Sequence, residues 1–334
     1  MADFHNPRQR RHTAWARLLV CLVALPLTIG WAPPPSAAIE IAAAADSKPR
    51  APASAAPERI TDAMLAGWPK LLSEDWSQGL KIVGRDPDGR WSRTMSNGVK
   101  WHEHHGEKHV LTFPGQNGQT FDPFSIVRHD DKHWLRITAR VTPPGELKAA
   151  WNQPIQSGVL TNFRTFGYTY GYVEARVILP DVHGAWPAFW TLPNDNKWPP
   201  EIDVFEFLHP ASGREGGVRK VFVNTHWRSN APKGRSSKGG YVDLPNGGKV
   251  TDPHVYGVLW TKDFVAHYID RRRVMVVPNP ADEAGVAEGL HKPMHLIFSL
   301  AMGGQWPGPV DMKKLPASME VTDIGVWGLP NKPQ

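Results

Sequence analysis

Cysteine is almost missing: Cys21 is the single one among 334 residues. That excludes a disulfide framework and a cysteine-ligated metal. No G-x-G-x-x-G, G-x-x-x-x-G-K-[ST] or G-x-S-x-G run occurs, so neither nucleotide binding nor serine-based hydrolysis has a motif to rest on. The apolar run LLVCLVALPLTIG, at 18–30, is too short to span a bilayer as a helix, and no stable membrane anchor is expected. Helical periodicity is scarce after residue 60, limited to ITDAMLAGW and PADEAGVAEGL. Charge of one sign is not concentrated either. The formal net charge is +6, and the densest basic run, DRRRV at 270–274, would be split across two faces of a strand. A nucleic-acid partner is therefore not expected, whereas mild attraction to an acidic polysaccharide is compatible with the excess.

What is present begins with Arg8, Arg10, Arg11 and Arg17 ahead of the apolar run and small residues in SAAIEIAAAAD behind it. That order reads as an export signal over 1–44, followed by an Ala/Pro-rich linker over 45–64. Removing 1–44 takes away Cys21 and brings the net charge to about +4. The folded domain is expected over 65–334, as a monomer in a secreted or periplasmic location. Period-two segments recur at 133–141, 171–180, 220–227, 254–260, 264–270, 294–300 and 319–327, separated by turn-rich stretches such as LPNDNKWPP and SNAPKGRSSKGG. Many short strands with long loops imply an all-β antiparallel sandwich or jelly roll.

The stretch WPPEIDVFEF, 198–207, places Glu201, Asp203 and Glu206 among strand-forming apolar residues. On a regular strand Glu201 and Asp203 share one face, and Glu206 points to the other. A β-bulge at Val204–Phe205 would return Glu206 to the face of its fellows. Gathered there, one glutamate can serve as ionised nucleophile and the other as protonated acid, with Asp203 orienting its neighbour. Three close carboxylates cannot all ionise cheaply, which raises at least one apparent pKa. An oxygen-ligand metal site and a solvated polar strand stay open at this point. Fifteen Trp, far above the usual share, suit indole faces lining a sugar cleft, although a Trp-rich core would also absorb them.

EIDVFE resembles the E-I-D-x-x-E signature of glycoside hydrolase family 16. SGVLTNFRTFGYTYGYVEARVILPDVHGAWPAFWTLP (157–193), HVYGVLWTKDFVAHYIDRRRV and LAMGGQWPG (300–308) resemble further segments of that family, in the same order along residues 70 to 328. The resemblance implies a concanavalin-like jelly roll with a concave cleft and an endo-acting, retaining β-glycan hydrolase of the laminarinase-like branch. It implies Glu201 as nucleophile, Asp203 as assisting acid and Glu206 as acid/base. Substrates compatible with it are β-1,3-glucan, mixed β-1,3/1,4-glucan, a galactan or a bacterial exopolysaccharide. No cofactor is needed for the chemistry, no metal ligands are assigned, and a structural calcium, allowed by the resemblance, has no identified ligands. Pro200 and Arg271 depart from the pattern, where Gly or Ser and Gly are common. A non-catalytic carbohydrate-binding jelly roll and a transglycosylase are the alternatives.

Trp186 and Trp190 have equal strand parity and are expected beside the acids as substrate-binding residues. By the same resemblance, Trp198, Trp306 and His226 are expected to line the cleft. WHEHHGEKH, 101–109, fails the H-E-x-x-H pattern because Gly106 stands where histidine is required. It is expected to be a solvated loop at the cleft edge.

Overall fold

The computed structural model describes residues 55–209, 217–229, 234–278 and 290–330. The chain divides into Met1–Asp46 and Ser47–Gln334, and every described residue belongs to the second unit. The expected export signal, and the helix candidate at 280–290 apart from Leu290, lie outside the described residues.

Strands are numbered in chain order. One sheet has six strands in the spatial order β11 (Arg235–Asp243), β10 (Lys220–Arg228), β9 (Glu201–Glu206), β8 (Ala185–Pro193), β15 (Met294–Met302) and β6 (Val159–Thr161). The other runs β14 (Arg272–Pro278), β13 (Phe264–Ile269), β12 (His254–Trp260), β7 (Gly171–Ile178), β16 (Ala317–Trp327), β4 (Lys132–Val141), β5 (Ile155–Ser157) and β2 (His109–Leu111). To it β1 (Lys70–Glu74) adds on β16 and β3 (Phe124–His129) on β4. Pairing is antiparallel apart from β2 with β5. The result is the expected all-β sandwich, and each period-two segment falls on a strand.

The two sheets close on each other through large apolar side chains. Phe205 of β9 meets Tyr256 of β12 at 4.5 Å between ring centroids, and beside it, within the six-stranded sheet, Phe189 of β8 stacks on Phe298 of β15 at 4.3 Å. Part of the Trp surplus serves this core. Trp76, Trp91 and Trp260 are fully buried, and each donates its indole N–H: to Val321 O at 2.8 Å, to Glu74 Oε2 at 3.1 Å and to Leu290 O at 2.9 Å. An acceptor for its one donor offsets the desolvation cost of burying an indole.

Two expectations need correction. Residues 55–64, assigned to the linker, are packed onto the ten-stranded sheet. Ile60 donates its backbone N–H to Arg271 O at 2.9 Å, and Arg273 N–H reaches Glu58 O at 2.9 Å. Ala56, Ile60 and Leu65 are buried with Tyr172, Phe264 and Tyr268. The short helix Asp62–Ala66 that follows is capped by Thr61, whose hydroxyl accepts from Met64 N–H. Alanine and proline set the composition of this stretch, and a few apolar residues decide its packing. Second, SNAPKGRSSKGG reads as a loop, yet residues 235–240 belong to β11. As an edge strand paired only with β10, β11 stays largely exposed and needs no alternating apolar pattern.

The departure at Arg271 has a backbone reason. Asp270 and Arg271, with φ 48° and 59°, form the two-residue turn between β13 and β14, and both are left-handed. Glycine suits such a position. Here Arg271 occupies it with its guanidinium bonded twice to Glu174, at 2.8 and 2.6 Å, and also to Asp62.

Candidate active site

The register of β9 contains the bulge that its parity requires. Against β8, Phe189 pairs with Phe205 and the next residue, Trp190, pairs with Asp203, so Val204 has no partner of its own. Against β10, Phe222 pairs with Glu206 and Asn224 with Asp203, again leaving one extra residue on β9. Ile202, Val204, Phe205 and Phe207 all enter the core. The acids take the other face, where their neighbours are shared: His226 Nε2 lies 3.3 Å from Asp203 and 3.7 Å from Glu201.

The three carboxyls differ in their donors. Trp198 donates its indole N–H to Glu201 Oε2 at 2.9 Å, and Trp186 donates to Glu206 Oε1 at 3.0 Å. Burial raises all three pKa values above the usual carboxylate range. Asp203, the most buried, is lifted to about 7. Glu206 is also raised by the charges of Asp203 and Glu201, and among the described residues the Trp186 N–H alone favours its anion. Glu201 is also raised by burial and by Asp203, while the Trp198 N–H favours its ionised form. Each glutamate thus has one indole donor, and Glu206 is the one whose proton is favoured by two neighbouring carboxylates.

Asn224 joins this network, and nothing in the sequence reading singled it out. Its Oδ1 accepts Thr225 N–H at 2.9 Å, which turns Nδ2 toward His226 Nε2 at 2.8 Å. Nε2 therefore accepts and the imidazole proton sits on Nδ1. Burial pushes the His226 pKa down, consistent with a neutral ring. Strand parity held the signal: Asn224 lies two residues from His226, on the same face.

Trp186 meets Trp306 edge-on at 5.2 Å, and Trp306 meets Phe222 in the same way at 5.2 Å. Trp198 is exposed and carries the Arg235 guanidinium 4.7 Å above its ring. Trp190 is different: it bonds Ser299 Oγ at 3.1 Å and packs against Met95, Leu111, Val159 and Ile297. Trp186, Trp198, Trp306 and His226 thus surround the acids, while Trp190 is mainly a packing residue beside them. Glu201, Asp203 and His226 bring ligand atoms within 4.8 Å of one another, so this face could also hold a cation.

A β sandwich with carboxylates ringed by indoles on one sheet face has the layout of a jelly-roll glycosidase. Residues 129–315, more than half of the chain, match glycosyl hydrolases family 16. The chain belongs to that family. It is 35% identical over 211 residues to endo-1,3-1,4-beta-glycanase EglC of Rhizobium meliloti (strain 1021), covering 62% of this chain and 40% of that protein. It is 36% identical over 176 residues to endo-1,3-1,4-beta-glycanase ExsH of the same organism, covering 52% of this chain and 33% of that protein. Each alignment thus spans less than half of the relative. The catalytic domain of an endo-1,3-beta-glucanase (laminarinase) from Thermotoga petrophila RKU-1 superposes with a TM-score of 0.60 at 26% identity, over 79% of this chain and 99% of that one. Among the described residues, no helix is long and apolar enough to cross a membrane.

Proposed function

We propose that the protein is an exported, endo-acting β-glucan hydrolase that cleaves β-1,3 or mixed β-1,3/1,4 linkages with retention of configuration. The observation that carries this reading is the bulge at Val204, which gathers three acids with unequal donors on one face. The names of the two rhizobial relatives support the linkage.

In the first step Glu206 gives its proton to the glycosidic oxygen while the Glu201 carboxylate attacks the anomeric carbon; the C–O bond to the leaving chain breaks and a glycosyl ester forms. In the second, Glu206, now a carboxylate, takes a proton from water. The resulting hydroxide attacks the same carbon, and the sugar leaves with its original configuration while Glu201 is freed. Asp203 holds its partner carboxyl in place and shares the negative charge of the cluster. Trp186, Trp306 and Trp198 offer flat apolar surface to sugar rings, and His226 with Asn224 offers polar contact to hydroxyls.

Incubation with laminarin and with cereal mixed-linkage glucan, followed by proton NMR of the first products, tests the reading. Oligosaccharides with the β anomer formed first are expected, and Glu201→Gln is expected to lower kcat roughly 10^4-fold. Formation of the α anomer first, or full activity in Glu201→Gln, would overturn it. Unchanged chains would instead make the protein a binder, and redistributed chain lengths a transglycosylase.

A further inference from the structure

The histidine run set aside as a loop is folded into a compact cluster. Residues Glu103–His105 form one turn of 3-10 helix, closed by Gly106 at φ 71°, whose N–H bonds Glu103 O. The turn brings the rings of His102, His104 and His105 together, with centroids 5.5, 5.3 and 4.0 Å apart. One ring nitrogen from each lies within 4.8 Å of the other two. Among the described residues no hydrogen bond engages these ring nitrogens; the nearest polar approach is His105 Nδ1 to Glu107 Oε1 at 3.9 Å.

Glu107 supplies the second, independent observation. It is buried, and its Oε2 accepts the His102 backbone N–H at 2.6 Å. The same oxygen lies 3.9 Å from Nε2 of buried His109, whose Nδ1 accepts Met302 N–H at 3.1 Å. The carboxylate therefore sits behind His105 and underneath the turn. At 3.9 Å from His105 Nδ1 the free oxygen is too far for a hydrogen bond, and a small side-chain shift would let it accept the ring N–H of a metal-bound imidazole.

We propose that His102, His104 and His105 form a binding site for a divalent transition metal of the zinc class. Three imidazoles with an open fourth position suit tetrahedral zinc, and ligand distances of about 2.1 Å need only small side-chain rotations from the present spacing. The site is separate from the acids and unnecessary for their chemistry. It still adjoins them: the His105 ring lies 6.1 Å from that of Trp186, and Gln305 N–H bonds His105 O at 2.8 Å. Gln305 also donates through its side chain to His104 O at 3.3 Å. A bound ion would clamp the 102–106 turn against the loop carrying Trp306, one indole away from Glu206.

The test uses the full chain, freed of metal by chelation and dialysis. Zinc chloride is titrated by calorimetry, and cobalt(II) by its visible absorption. One equivalent is expected to bind with roughly micromolar affinity or better, with the intense bands of tetrahedral cobalt. His104→Ala, at an exposed position, should fold normally and bind at least tenfold more weakly; Glu107→Gln should weaken binding by about 10-fold or more. Asp203→Asn, which disables the other candidate cation cluster, should bind as the parent does. Unchanged affinity in His104→Ala, loss in Asp203→Asn, or absence of the cobalt bands would each overturn the proposal.

Discussion

At the scale of single residues, the site works through differences among similar groups. Glu206 and Glu201 are the same side chain with different neighbours, and among the described residues Trp186 is the one hydrogen-bond donor to the Glu206 carboxylate. Replacing Trp186 by Phe keeps an aromatic ring and removes that donor, so the Glu206 pKa should rise. The proposed proton donation needs Glu206 protonated, and the alkaline limb of kcat/KM should therefore move to higher pH. A limb that stays in place or moves down would separate Trp186 from proton donation. Asp203 allows a stability test. Its folded pKa of about 7 exceeds the ordinary carboxylate value, so ionised Asp203 penalises the fold. The penalty is absent below the unfolded pKa, grows as pH rises toward 7 and is complete above it. Asp203→Asn should lose activity yet gain stability on the order of 1 kcal/mol at pH 8, visible as ~2 °C or more in Tm, with no gain at pH 4. Equal Tm shifts at both pH values would contradict the burial argument. At this scale the gathering of the acids was legible in the sequence, because their spacing on a strand requires the bulge that the pairing contains. Arg235 was not, since its contact with Trp198 joins positions far apart along the chain.

At the scale of elements, β9 shows how one extra residue changes what a strand presents. The Ile202–Phe207 stretch supplies the core with four side chains while Glu201, Asp203 and Glu206 share the opposite face. Parity alone made the bulge a requirement, and the pairing with both neighbours contains it. Strands with one face more buried than the other were readable by alternation, as at 133–141 and 220–227. The edge strand β11 was not, because a strand with little buried surface carries no periodic signal. The segment before the first helix was misread for the converse reason: its anchors Ala56 and Ile60 are too few to show a period. Ile60 is buried against β13 and β14, so Ile60→Ala should destabilise the domain by about 2–4 kcal/mol. Chemical denaturation would measure this, and a loss within experimental error would restore residues 55–64 to the status of linker.

At the scale of the whole molecule, the two sheets divide the work. The ten-stranded sheet and the buried indoles of Trp76, Trp91 and Trp260 supply the packing that holds β8, β9 and β10 in register. The six-stranded sheet can then expose crowded carboxyls that are costly to ionise there, because the cost is carried by a large apolar core. Fold class was legible from the density of short alternating segments. Two features were not: which Trp are structural, and that a histidine run without helical spacing closes into a cluster. Both depend on tertiary placement, since Trp190 and Trp186 have the same parity and differ only in what covers them.

In the proposed mechanism the bulged strand presents Glu201 as the nucleophile of a retaining hydrolysis. A β-glucosyl-type substrate carrying fluorine at C2 and a good leaving group would arrest the reaction at the glycosyl-enzyme, which peptide mass mapping then locates. One label per chain is expected, on the peptide containing Glu201 and on that side chain. A label on Glu206 or Asp203, or turnover with no covalent adduct and an inverted product, would contradict it.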